Sequence, residues 1–156
     1  MIGEGFQPKA AFRALKVIFY VLNTALLLFF MVGVYLNEMQ IPPFKTELDI
    51  LNIVSIFLLA AIPGGYMVSN RKFDAIDAGD SFQGKWEQFQ TGMIIRWAMI
   101  EGAALFSLVG LIVLQDAKQL VLFIICLLAL SMNSLNREKA TRMAKLNPEE
   151  SKALGE

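Results

Sequence analysis

The chain has 156 residues, of which 56% are apolar and 18% charged, with a mean hydropathy of +0.53. A soluble domain sits near 45–50% apolar, so the excess points to lipid. Its 14 basic and 14 acidic residues cancel, which excludes the overall positive field of a nucleic-acid-binding protein. There is no histidine, which excludes histidine acid/base catalysis, histidine-ligated haem and most zinc and di-iron sites. Cys126 is the only cysteine and lies in an apolar run, so no intrachain disulfide forms and no thiolate metal site is expected. No cofactor is expected either.

Taken in order, Met1 to Lys16 is a short basic lead carrying Lys9, Arg13 and Lys16. Val17–Leu36 is predicted as the first membrane span, interrupted only by Asn23 and Thr24, with Tyr20 and Tyr35 near its ends. It has full span length and no small-residue cleavage pattern, so it reads as a membrane helix rather than a signal peptide. Pro42-Pro43 ends helical structure in the loop Asn37–Leu48. Asp49 is the expected N-cap of the second span, Ile50–Ser69. Pro63, Gly64 and Gly65 are expected to kink or unwind that span near its far end. Asn70–Gln90 is the longest predicted connection, with Asp80 or Ser81 capping a helix that runs on into the third span, Met93–Leu114. Within it, Phe82, Trp86 and Phe89 share one side and are expected to anchor at the membrane surface, the alternative being that they dock under the bundle. After a tight turn at Gln115–Lys118, the fourth span is Gln119–Leu135, continuing as a polar helix through Met143. Asn147-Pro148-Glu149-Glu150 reads as a cap, a first-turn proline and two acids, hence a terminal helix.

The expected fold is therefore all-α: one membrane domain over residues 1–156, a four-transmembrane-helix bundle with short loops and a tail at 136–156. Orientation follows the basic residues. Lys9, Arg13, Lys16, Arg71, Lys72, Lys85, Arg137, Lys139, Arg142, Lys145 and Lys152 fall on one side, and Lys45 and Lys118 on the other. Both termini are accordingly expected in the cytoplasm, with the protein in a bacterial inner membrane.

Glu101 is the conspicuous residue. A charge at the bilayer centre costs at least about 2.5 kcal/mol. Arg96, near the end of the same span, can snorkel to the interface, whereas the short Glu101 side chain sits about 6 Å deeper than Trp97. Asn23, Thr24, Ser131 and Asn133 fall at similar depth, as do Gly64 and Gly65. The outer third holds only Asn52 and Ser55 of the second span. This pattern makes Glu101, Asn23, Thr24, Ser131 and Asn133 the candidate proton or cation site, with the Pro63 break supplying free carbonyls. The plainer alternative is a polar cluster that fixes helix register. Arg96 is a poor partner for Glu101, being about 140° round the helix. Ala103, Ser107 and Gly110 form a small-residue seam that allows another backbone close. It lies opposite the stripe of Trp97, Glu101, Ala104, Leu105 and Leu108, so either the bundle is tight, with ordinary close packing at the seam, or one of the two faces meets another subunit, which is the expectation.

Within Arg96–Leu114, the run RWAMIEGAALFSLVGLIVL resembles the carboxylate-bearing helix of the rotary ATP synthase proteolipid ring subunit. The resemblance implies that Glu101 is an ion-exchanging acid and Phe106 the aromatic beyond it. The chain lacks that family's glycine-repeat first helix, repeats no acid in the fourth span, and places Glu101 nearer one membrane face. It is not assigned to the family.

Two functions follow. The first is an accessory or structural subunit of an inner-membrane complex, or a self-assembling scaffold, whose partners are membrane lipids and other membrane subunits or further copies of itself. The second is a small proton or cation channel or carrier using Glu101. A lipid enzyme would need acids such as Asp74, Asp77 and Asp80 to converge, but their spacing suits a solvated loop. No enzymatic activity and no nucleic-acid partner are expected.

Overall fold

The computed structural model describes residues 6–38, 40–47 and 49–155. It holds seven helices among those residues and no strand: α1 Pro8–Leu36, α2 Ile50–Leu58, α3 Ala61–Asp74, α4 Phe82–Leu114, α5 Ala117–Ser131, α6 Arg137–Met143 and α7 Pro148–Ala153. Three helical stretches are long and apolar enough to cross a membrane: Pro8–Leu36, Ile50–Asp74 and Phe82–Leu114. The apolar α5 has only 15 residues, short of the roughly 20 that a bilayer asks for.

The helix ends follow local chemistry. Pro8 opens α1, where its missing N–H costs nothing. Asp49, Ser81, Asp116, Asn136 and Asn147 each cap a helix by accepting a first-turn amide. Asn147 and Glu150 complete a reciprocal capping box.

Three expectations need correction. The break in the second span lies at Leu59–Ala60 and not at Pro63-Gly64-Gly65, which sit inside α3. Pro63 cannot donate to the Leu59 carbonyl four residues back. That carbonyl accepts the Ile62 amide at 3.0 Å instead, and the chain tightens one turn upstream. The connection after α3 is also shorter than expected, because α3 runs on to Asp74 and α4 starts at Phe82. Finally, the last long helix does not continue through Met143. It stops at Ser131, and α6 starts afresh at Asn136.

The core is organised around α4, which packs against α1, α2, α3 and α5. Its buried residues line one broad face along the whole helix, from Phe82 and Trp86 to Ser107 and Leu111. Glycine allows the closest approach: a Cβ on Gly92 would stand 2.5 Å from the Phe73 ring of α3. Outside, α1 presents Tyr20, Phe29, Met31 and Tyr35, and α2 presents Ile53 and Phe57, all exposed. An apolar surface of that extent is what lipid would cover.

Phe82, Trp86 and Phe89 dock under the bundle, the alternative to surface anchoring. They are at most 2% exposed, with Trp86 edge-on to Phe12 and Phe89 against Phe73. The first turns of α4, the start of α1, the end of α3, and α6–α7 together close one end of the bundle. Lys85 pairs with Glu150 of α7 at 3.2 Å. Lys145 donates to the Asp74 and Ile76 carbonyls after α3.

Candidate functional site

Burying polar side chains in an apolar bundle is costly unless each finds a partner. Two buried polar clusters meet that demand, one near each end of the bundle.

The first is built on Arg96, which is 1% exposed. Its Nε donates to Ser69 Oγ at 2.8 Å, one terminal nitrogen to Asn70 Oδ1 at 2.8 Å, and the other to Asn133 Oδ1 at 3.3 Å. Its guanidinium carbon lies 4.2 Å from the Tyr66 ring centre and 5.2 Å from that of Phe73. Asn133 in turn donates to Tyr66 Oη at 2.5 Å and to the Ala129 carbonyl at 2.7 Å. The Trp97 indole donates to the Asn133 carbonyl at 3.2 Å. These bonds explain why α5 stops where it does, since both ends of Asn133 are claimed from α3 and α4. Every acceptor on Arg96 is neutral, and no carboxylate reaches it among the described residues. Arg96 therefore does not snorkel. It ties α3, α4 and the segment after α5 into one unit.

The second cluster lies at the α4–α5 turn. Ser55 Oγ stands 2.8 Å from Gln119 Oε1, Gln119 Nε2 donates to Asn52 Oδ1 at 2.8 Å, and Asn52 Nδ2 donates to Asp116 Oδ2 at 3.1 Å. All four residues are at most 1% exposed. Gly110 makes room for them, because a Cβ there would stand 2.7 Å from the Gln119 amide. Burial works against the Asp116 charge. Hydrogen bonds from the Lys118 amide, the Asn52 side chain, the Lys118 ammonium and the Lys45 amide outweigh it and hold the carboxyl below the usual carboxylate range. Lys118 Nζ is 3.3 Å away.

The expected ion site is not assembled. Asn23 donates to the Phe19 carbonyl of its own helix at 2.9 Å, while Thr24 and Ser131 are exposed. Only Asn133 joins a polar cluster, and that cluster serves Arg96. No hydrogen bond or ion pair engages Glu101 among the described residues, and the carbonyl that Pro63 leaves free bonds to Ile62. The seam residues Ala103, Ser107 and Gly110 are all buried. Ser107 returns a hydrogen bond to the Ala103 carbonyl, and Gly110 faces Gln119, so the seam is spent within the bundle.

The face of α4 left uncovered is a different one. Thr91, Ile94, Ala98, Gly102, Val109 and Val113 are exposed at three- and four-residue spacing, with Glu101 and Leu105 half-buried along the same edge. A Cβ on Gly102 would meet nothing within 4 Å. Ala98 and Gly102, one turn apart, make a small-residue step beside the unpaired carboxyl. Sequence reasoning missed this pair because it followed the longer seam. The signal was present, since both residues lie within one turn of Glu101.

No protein-family model matches this chain, and no curated protein or solved structure does either.

Proposed function

We propose that this chain is a membrane-embedded accessory subunit that docks a helix of a larger membrane protein on the open face of α4. The observation that carries the reading is Glu101, which is half-exposed, unpaired and flanked by Ala98 and Gly102. An acid at membrane depth calls for a partner, and small residues on either side let another helix come close enough to supply one. The partner has a hydrogen-bond donor or a basic residue at the depth of Glu101. A second copy docking on the same face would set carboxyl against carboxyl, which favours a different chain. In this reading α5 completes a four-span bundle, both termini face the cytoplasm of a bacterial cell, and the protein sits in its inner membrane.

The carrier reading loses its support with its ligand set, since Asn23, Thr24 and Ser131 do not converge on Glu101. The test is affinity purification in mild detergent of wild-type protein and of Gly102→Leu and Glu101→Gln. Leucine at position 102 fits the monomer, with open space above it and better helix propensity than glycine. A stoichiometric partner lost at least about tenfold with Gly102→Leu, and weakened by Glu101→Gln, is the expected result; tenfold corresponds to about 1.4 kcal/mol. A partner retained equally by all three proteins would overturn the docking face. Proton flux in liposomes that Glu101→Gln abolishes would replace the reading with the carrier.

A further inference from the structure

The paired ends of α6 and α7 carry a pocket that neither polar cluster nor the α4 face accounts for. It is lined by Arg137, Glu138, Thr141, Arg142 and Ser151, with a volume of about 520 Å³ and an open mouth. Two features separate it from an ordinary charged surface. Its two arginines have no carboxylate partner within ion-pair distance among the described residues. Glu150 of α7 is engaged elsewhere, by Lys85 and by the Asn147 amide. Its floor is a hydroxyl pair, Thr141 Oγ1 and Ser151 Oγ, 2.7 Å apart, with Arg137 Nε 3.4 Å from the serine oxygen. Two guanidinium groups beside two hydroxyls supply the kind of donors that a tetrahedral oxyanion takes, and arginine suits it better than lysine.

The walls are also fixed from outside. α7 is held by its capping box and by the Lys85–Glu150 pair, and the α6 end by the two carbonyl bonds of Lys145. The pocket thus exists before any ligand arrives, which lowers the ordering cost of binding. Glu138 on the rim cancels one of the two arginine charges. A site with one net positive charge matches a phosphodiester, which carries one negative charge, better than a doubly charged phosphomonoester.

We infer that Arg137, Arg142, Thr141 and Ser151 form a binding site for the phosphate of a mono-anionic phosphodiester, carried by a membrane lipid headgroup or by a soluble glycerophosphodiester. The inference rests on the membrane reading of the apolar helices but not on the docking face of α4. Arg142 is exposed and the site lies at the end of the bundle where α1 and α4 begin, so a headgroup at the bilayer surface can enter it.

The experiment measures binding of purified full-length protein to phosphatidylcholine vesicles with and without phosphatidylglycerol. Soluble glycerophosphoglycerol is the competitor. The proteins are wild type, Arg137→Gln/Arg142→Gln, and Lys9→Gln/Lys152→Gln, the last removing two exposed charges at the same end but outside the pocket. The expected result is a preference for phosphatidylglycerol that falls at least tenfold in the double-arginine variant and less than twofold in the double-lysine one. Competition by the soluble diester at comparable concentration assigns the ligand to that source, and failure to compete assigns it to the lipid. Equal losses in the two variants would reduce the effect to a diffuse positive field and overturn the site, as would full retention without the arginines. Serine 151 supplies a second check that leaves net charge untouched: Ser151→Ala is expected to weaken binding a fewfold, and an unchanged affinity would remove the hydroxyl floor from the proposal.

Discussion

Arg96, halfway along α4, and Asp116, in the turn that follows it, are both buried charges, and the protein treats them in opposite ways. Asp116 is met by charge, with the Lys118 ammonium 3.3 Å away and backbone amides of Lys45 and Lys118 directed at it. Arg96 is met by dipoles and aromatic faces alone. A local counter-charge can be provided by two neighbouring residues, as Asp116 and Lys118 show. Dispersed compensation needs several elements to converge, and around Arg96 these are α3, α4 and the chain beyond α5. The cation is thus a long-range tie, while the anion is mainly a turn device extended inward by Asn52 and Gln119.

The largest expected effect follows from breaking the tie. Arg96→Gln removes up to three charge-assisted hydrogen bonds and leaves the buried oxygens of Ser69 and Asn133 without their donor, while the exposed Asn70 can turn to water. Such bonds contribute about 1.5–3 kcal/mol each and do not add simply, so a loss of roughly 3 kcal/mol or more is expected in thermal or denaturant unfolding in detergent. Wild-type stability in that variant would show that α3 and α4 are held by apolar packing alone.

Asp116→Asn is expected to cost less, about 1–2 kcal/mol near neutral pH, because the asparagine keeps part of the hydrogen bonding. The effect carries a pH signature. The folded carboxyl titrates below its unfolded value of about 3.9, so its stabilisation is present above that value and is lost as pH falls through the folded one. Melting curves of wild type and variant should converge in acid. A constant gap down to the lowest pH would mean that shape, and not charge, sets the role of Asp116.

The smallest effect concerns Lys139, which lies within the field of Arg96. Burial first, then Arg96 and Arg142, hold its ammonium below the ordinary lysine range. Its charged form is therefore favoured less in the folded chain than in the unfolded one, at a stability cost below the folded pKa. That cost fades as pH rises towards the unfolded value of about 10.4. Lys139→Gln is expected to raise the melting temperature slightly at neutral pH, with the gain vanishing in alkali. A fall instead would show that its bond to the Ser134 carbonyl outweighs the repulsion.

Much of this architecture is legible in residue order. The caps at Asp49, Ser81 and Asn147, the run-on of α4 from the loop into the apolar stretch, and the apolar helices all follow from spacing and side-chain type. Depth was legible in part: the end of the second span lies level with the start of the third, whereas Asn133, expected level with Glu101, lies against Arg96 five residues earlier. The centre they serve was not, because a long basic side chain near a helix end can reach outward or inward with equal ease. Only packing decides, and here the Tyr66 and Phe73 rings and three neutral oxygens draw Arg96 inward. The cluster at the α4–α5 turn was half visible in Asn52 and Ser55. Gln119 and Asp116 were hidden by their place at a turn, where polar residues need no special reason. The terminal helix at Asn147 was clear from its cap, whereas its pairing with α6 around a pocket depends on contacts some ten residues apart.

The placement of Arg96 also sets an order in time. As the chain leaves the ribosome, α4 appears after Ser69 and Asn70 but before Asn133, so the guanidinium first meets two of its three acceptors. At roughly 5–20 residues per second, the interval between Leu114 and Asn133 lasts on the order of seconds. For that interval the helix that ends as the centre of the bundle is the least settled part of it. Arrival of Asn133 then does two things at once, filling the last position on Arg96 and halting α5. The residues that help close one end of the bundle, from Ala140 to Leu154, follow only after that.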